Sequence, residues 1–116
     1  MKGRKEQKDL LPGTLEMLIL QTLRRGALHG YAIAQHIQQT SKDVLQVEEG
    51  SLYPALYRME NRGWIKAQWG ITENGRRAKY YALTATGRRQ LTEQARTWSR
   101  FAVAMSSILS ARPEPA

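Results

Sequence analysis

The stretch EEGSLYPALYRMENRGWI, Glu48 to Ile65, sets Ser51, Tyr53, Tyr57 and Arg58 among leucines and a methionine at helical spacing. Hydroxyls and a guanidinium displayed on one helix donate hydrogen bonds to phosphate oxygens and to base edges. A second set follows in GRRAKYY, where Arg76, Arg77, Lys79 and Tyr80 crowd together. Eight basic residues lie from Arg58 to Arg89, nine with Lys42 just upstream, against only Glu60 and Glu73. Over the whole chain, 18 Lys and Arg stand against 10 Asp and Glu, a balance that points to a polyanionic partner.

Catalytic chemistry is poorly served. His29 and His36 are seven residues apart, about 10 Å along a continuous helix at ~1.5 Å per residue, too far to share one metal. Glu48 and Glu49 are adjacent and point in different directions, so they make a poor acid/base pair. There is no cysteine, which removes disulfides and thiolate metal sites and fits a reducing compartment. No Gly-rich phosphate loop appears. The expectation is a protein that is not an enzyme and uses no metal or cofactor. No apolar run approaches the roughly 18 residues of a membrane span, and the basic start MKGRKEQKDL has no hydrophobic stretch behind it. A cytoplasmic protein without membrane partners is expected.

The elements that must position these residues can be read in order. At 116 residues the chain is one domain with one core. PGTLEMLILQTLRRG spaces Leu15, Leu18, Ile19 and Leu23 as a helix, with Pro12 suited to its start and Gly26 to its stop. HGYAIAQHIQQTS makes a second helix whose apolar face is either Tyr31, Ala34 and Ile37 or Ile33 and Ile37. In the third, Ser51 serves as N-cap, Pro54 falls in the first turn, and Gly63 ends the helix in a left-handed conformation. Leu52, Ala55, Leu56 and Met59 then face inward, leaving Ser51, Tyr53, Tyr57 and Arg58 outward or lateral.

WIKAQWG alternates Ile65, Ala67 and Trp69 with polar neighbours, and AKYYALT, with Tyr81 and Leu83 inward, is its partner strand. ITENGRR between them carries the Asn74-Gly75 turn signal, giving a hairpin with a basic tip. From Thr84, an N-cap, a long helix follows. Leu91, Ala95, Trp98, Ala102, Met105 and Leu109 recur at steps of four and three, widened by Phe101 and Ile108. That seam is assigned to a homodimer interface. The domain reading is a flexible basic leader over 1–9, a DNA-binding domain over 10–83, a dimerisation helix over 84–110 and a disordered tail over 111–116.

Three helices followed by a basic-tipped hairpin is the order of a winged helix-turn-helix: mainly α with a small β-hairpin, plus the C-terminal dimerisation helix. A helix fits the major groove of double-stranded DNA, and a hairpin tipped with Arg and Lys reaches the neighbouring phosphates or minor groove. The competing reading is a winged-helix module that docks a protein. Tyr53 and Tyr57 could instead pack against the first helix, and Arg88 and Arg89 could be solvated or approach phosphate.

EEGSLYPALYRMENRGWI followed by RRAKYYALTATGRRQL resembles the PadR family of bacterial transcriptional regulators, and LLPGTLEMLILQTLRRGALHGYAIA resembles the start of that domain. The resemblance runs from about Leu10 to Leu91. It implies a homodimeric repressor that binds an inverted repeat, with Ser51, Tyr53 and Tyr57 as recognition-helix contacts. It places Arg76, Arg77, Lys79 and Tyr80 at the wing and makes Tyr31 a further phosphate contact. The length fits the short subgroup with one C-terminal helix. In such members an aromatic of the dimer helix can line a pocket for a small planar hydrophobic effector, which makes Trp98 either an effector residue or core packing.

Overall fold

A computed structural model of the chain describes residues 13–112. Helix α1 (Thr14–Thr22) runs into a single 3-10 turn (Leu23–Arg25), a short strand β1 (Leu28–His29) and helix α2 (Gly30–Thr40). Helix α3 (Glu49–Asn61), strands β2 (Ile65–Ile71) and β3 (Arg77–Leu83) and the long helix α4 (Ala85–Ser110) complete it. The readings made for residues 1–9, for Pro12 and for 113–116 fall outside the described residues. Among the described residues, no helix is long and apolar enough to cross a membrane.

Apolar residues three and four apart give α1, α2 and α3 one buried face each, and these faces meet. Ile19, Leu20, Ile33, Leu52, Leu56 and Met59 are all 1% exposed or less. Burying a side chain of this size stabilises the fold by about 1.5–3 kcal/mol, so this cluster dominates the packing. In α2 the face made by Ile33 and Ile37 turns inward, and Tyr31 is left 65% exposed. The same helix is capped from its own sequence: His29 Nδ1 accepts the Ala32 N–H at 3.2 Å, satisfying one of the donors stranded at a helix start.

Helix α3 begins earlier than its serine indicates. Glu48 is the N-cap in an extended conformation, and its carbonyl accepts the N–H groups of Ser51 and Leu52 at 3.0 and 2.9 Å. Ser51 is therefore inside the first turn and is not the cap. Pro54 moves into the second turn, where it removes the hydrogen bond that residue 54 would donate to Gly50. The positive end of the helix favours Glu49 in its first turn, a stabilisation that does not require a hydroxyl cap. The far end is as expected. Gly63 adopts φ +76°, its N–H reaches the Glu60 carbonyl, and the Trp64 N–H reaches that of Met59, both at 3.0 Å.

The sheet has three strands in the order β1-β3-β2, where the sequence shows only a hairpin. Strand β1 is two residues, Leu28 opposite Tyr81 and His29 opposite Tyr80, too short to show a period of two. Strands β2 and β3 pair antiparallel from Ile65 opposite Leu83 to Ile71 opposite Arg77. Ile65, Tyr81 and Leu83 are buried at the near end, but the hairpin runs on past the core. Its turn is a three-residue loop. The Gly75 N–H donates to the Thr72 carbonyl at 2.9 Å, and Thr72 N–H pairs with the Arg76 carbonyl at 2.8 Å. Only Gly75 is left-handed, at φ +80°, so the Asn-Gly pair ends a type I turn and does not form a two-residue mirror-image one.

Thr84 caps α4 as expected, its hydroxyl oxygen accepting the Gly87 N–H at 3.0 Å while lying 2.6 Å from the Gly63 carbonyl. Leu91 is 6% exposed and packs into the core of its own protomer, which removes it from the proposed dimer seam. Beyond it the helix leaves the domain. Ala95 and Ala102 are half-buried, whereas Trp98, Phe101, Met105, Ile108 and Leu109 are exposed.

Candidate nucleic-acid interface

With Leu52, Ala55, Leu56 and Met59 fixed inward, helical geometry turns Ser51, Pro54, Tyr57, Arg58 and Asn61 to the outside of α3. Tyr57 is 67% exposed, so it does not pack on α1. Tyr53 lies to the side, 44% exposed, and its ring rests on the start of α2: a Cβ built on Gly30 would stand 2.7 Å from the Tyr53 hydroxyl. Glycine at position 30 therefore lets Tyr53 lie flat across the α2–α3 junction. Tyr81 closes the space behind. Burial, followed by the nearby Glu60 and Tyr53, raises the Tyr81 phenol above its ordinary pKa and keeps it a neutral hydroxyl.

The hairpin stands across from these tyrosines. An open groove of about 600 Å³ runs between it and the helices, and Tyr31, Tyr53, Trp69, Arg76, Arg77 and Lys79 all line it. Five of the nine residues named for nucleic-acid contact thus share one concave surface. Lys79 leans toward Glu60 at 3.8 Å, both side chains partly exposed, a pair worth ~1 kcal/mol at most and easily exchanged for a phosphate. The Arg77 guanidinium carbon sits 4.6 Å above the centre of the Trp69 ring.

Two residues are engaged elsewhere. Arg58 donates from Nη2 to Glu16 Oε2 on α1 at 3.1 Å. Glu16 is 9% exposed, so Arg58 provides the countercharge for a buried carboxylate before it can serve any partner. Its side chain is half-exposed, and a guanidinium has five donors, so outward contacts remain open to it. Tyr80 points to the opposite face of the hairpin from Arg77 and Lys79. Its ring meets His29 edge-on with centroids 5.3 Å apart and covers Gly70, where a Cβ would come within 2.9 Å of the ring. Its hydroxyl reaches the Ile71 carbonyl at 3.4 Å. Tyr80 braces the hairpin and does not line the groove. Arg88 and Arg89 are exposed at the start of α4, outside the groove, with Arg89 hydrogen-bonded to Thr86.

Three residues of the site escape a reading of the sequence. Trp69 looks like one more inward strand residue, and only the length of the hairpin past the core puts it at the surface. His29 is not a usual helix cap. Glu16 sits in an apolar run, and its partner lies 42 positions away.

A second concave region lies between α1 and α4. It is an open cleft of about 680 Å³ lined by Thr14, Met17, Glu93, Gln94, Trp98 and Phe101 among others. Trp98 and Phe101 have ring centroids 5.6 Å apart, and Gln94 Oε1 is buried there without a hydrogen-bond partner among the described residues.

Residues 19–93 match the transcriptional regulator PadR-like family. The chain is 31% identical over 95 residues to a transcriptional regulator of Mycobacterium tuberculosis, covering 82% of this chain and 85% of that protein. It is 29% identical over 77 residues to the negative transcriptional regulator PadR of Bacillus subtilis, spanning 66% of this chain but only 42% of that longer protein. Among solved structures, a PadR-like transcriptional regulator from Bacillus cereus superposes with a TM-score of 0.77 at 28% identity, covering 89% of this chain and 98% of that one. A PadR family regulator from Clostridium difficile gives 0.72 at 31% identity, with coverage of 84% and 100%. The three-helix core and the hairpin are thus this family's fold. The chain belongs to the PadR-like family of transcriptional regulators, which act by binding DNA and not by catalysis.

Proposed function

We propose that the protein is a cytoplasmic, homodimeric repressor that binds an inverted repeat in double-stranded DNA. The observation that carries this reading is the groove in which Tyr31, Tyr53, Arg76, Arg77 and Lys79 converge. Helix α3 enters the major groove and presents Ser51, Tyr53 and Tyr57 to base edges and phosphates, while the hairpin lies along the adjacent backbone as the wing. The exposed apolar side of α4 pairs with a second copy, so that two recognition helices meet two half-sites. The name of the Bacillus subtilis relative, a negative regulator, supports repression.

Fluorescence anisotropy of labelled duplex from the chain's own upstream region, beside a scrambled duplex, tests the reading. With six to ten phosphate contacts, affinity should fall by about 10³–10⁵ between about 50 and 200 mM salt. Tyr53→Ala is expected to remove the preference for the upstream duplex, by about 1–3 kcal/mol if it contacts a base edge. Arg76→Ala should weaken both duplexes equally and lower the salt slope by about one. Absence of salt-dependent binding to either duplex refutes the regulator reading and leaves docking of a protein as the use of the fold.

The α1–α4 cleft is the natural seat of a small planar hydrophobic effector. Two aromatic rings supply the contact surface and Gln94 Oε1 an unused acceptor. Planar aromatic compounds are expected to quench tryptophan fluorescence in the wild type and to lose about ten-fold in affinity in Trp98→Ala, in line with a truncated aromatic anchor. Equal quenching in that variant, arising from Trp64 and Trp69 alone, excludes the site.

A further inference from the structure

The hairpin is longer than the core requires. Ile65 is 2% exposed, but Trp69 and Ile71, on the same face of the same strand, are 57% and 64% exposed. The distal half of the wing therefore gains little from burial, and an indole left in water there needs another explanation. Its neighbours supply one. In the sheet register Trp69 faces Lys79 and Ile71 faces Arg77, so Arg77 lies one diagonal step from the indole and folds back over it at 4.6 Å. On the opposite face Tyr80 lies over Gly70, with His29 against its edge. The strand pair is thus clamped from both sides where the core no longer holds it.

A guanidinium stacked on a ring loses only the use of its faces. Its N–H donors lie in the plane and stay free at the rim, and the rotamers that a free arginine would have to give up on binding are already restricted. We propose that Trp69 is a positioning residue for DNA recognition: its indole holds Arg77 in the orientation in which the wing inserts it into a minor groove narrowed by A·T-rich sequence. This rests on the DNA-binding reading above. With α3 in the major groove, the wing meets the flanking minor groove. That groove is narrow and strongly negative over A-tracts, where it attracts an inserted arginine. Arg77 is then the residue by which the protein reads shape beyond the bases that α3 touches, and Trp69 sets how well it does so.

Selection of the full-length wild type, Trp69→Ala and Arg77→Ala from one random duplex pool tests this, followed by affinities on the selected duplex with its flanks kept A·T or changed to G·C. The wild type is expected to enrich A·T pairs beside each half-site and to lose about five- to ten-fold when they become G·C, in the range of one mismatched base pair. Each single variant should select the same inner bases with no flank preference and bind the A·T duplex about ten-fold more weakly, and the double variant should be no weaker than Arg77→Ala. Trp69→Ala removes no charge, so its salt slope should equal the wild type's, whereas that of Arg77→Ala should fall by about one. Trp69→Phe keeps a ring under the guanidinium and should retain most of the preference. It carries the test if Trp69→Ala does not fold. Additive losses in the double variant, or A·T flanks still selected by Trp69→Ala, overturn the proposal while leaving DNA binding intact. A wild type that selects no sequence at all sinks the DNA-binding reading itself.

Discussion

Gly87→Ala is expected to lower the melting temperature by more than about 10 °C, although alanine is the better helix former. Gly87 stands in the first turn of α4, and an added Cβ would collide with the Trp64 carbonyl oxygen and lie 2.9 Å from its carbon. Both are backbone atoms and cannot swing away like the end of a side chain. The same carbonyl accepts the Thr84 N–H at 3.0 Å and lies 3.1 Å from the Thr84 hydroxyl. Relief therefore requires the α3–β2 junction to move off the cap of α4, with loss of those bonds. Overpacking costs about 1–3 kcal/mol and each lost bond about 0.5–1.5, so about 3 kcal/mol or more is at stake. Small domains hold only about 5–15 kcal/mol, and each kilocalorie moves the midpoint of a domain this size by roughly 4–8 °C. Helix propensity alone predicts the opposite sign, a gain of ~0.5–1 kcal/mol. Thermal unfolding followed by circular dichroism decides between them, and a midpoint at or above that of the wild type refutes the contact.

That glycine illustrates which parts of the molecule can be read from its sequence. Periodicity is written into the chain, so the spacing alone turns Leu52, Ala55, Leu56 and Met59 inward and Tyr57 outward. Thr84 and Gly63 act locally, and both do what their residue types favour. Contacts between segments distant in the chain leave no such trace. Nothing in PGTLEMLIL shows that Glu16 will lie beneath Arg58, and nothing in ATGRR shows that position 87 will meet the Trp64 carbonyl. Strand β1 is invisible because two residues cannot express a period. Ser51 misleads because hydroxyl residues favour caps only on average, and here the Glu48 carbonyl already closes the first turn. Within the groove, the residue types of Arg76, Arg77 and Lys79 announce the chemistry, but the alternation of β3 separates Tyr80 from them. The motif lists four neighbours, and the strand divides them between two faces.

Phe101→Glu combined with Ile108→Glu is expected to convert the protein to a monomer and to weaken binding to an inverted repeat by about 10²–10³. Helix α4 runs for 26 residues, and its buried positions are Gly87 and Leu91, both near its start. Phe101 is 47% exposed at the edge of the α1–α4 cleft, and Ile108 and Leu109, further along the helix, are 72% and 77% exposed. Apolar surface of this extent on a helix at the edge of a small domain is stabilised by association, and a second copy offers the same seam. Each recognition helix alone meets one half-site. Holding two of them about one helical turn, ~34 Å, apart makes the second encounter intramolecular, with a gain of about 10²–10⁴ that vanishes when the link is broken. Because Ile108 is exposed and Phe101 only edges the α1–α4 cleft within one protomer, the substitutions should change monomer stability by about 1 kcal/mol. Thermal unfolding of the variant therefore separates dissociation from misfolding, and sedimentation velocity reads the state of assembly directly. A wild type that sediments as a monomer at micromolar concentration, or a variant that keeps both its dimer and its affinity, refutes the α4 seam. The two recognition helices would then have to be spaced by another surface.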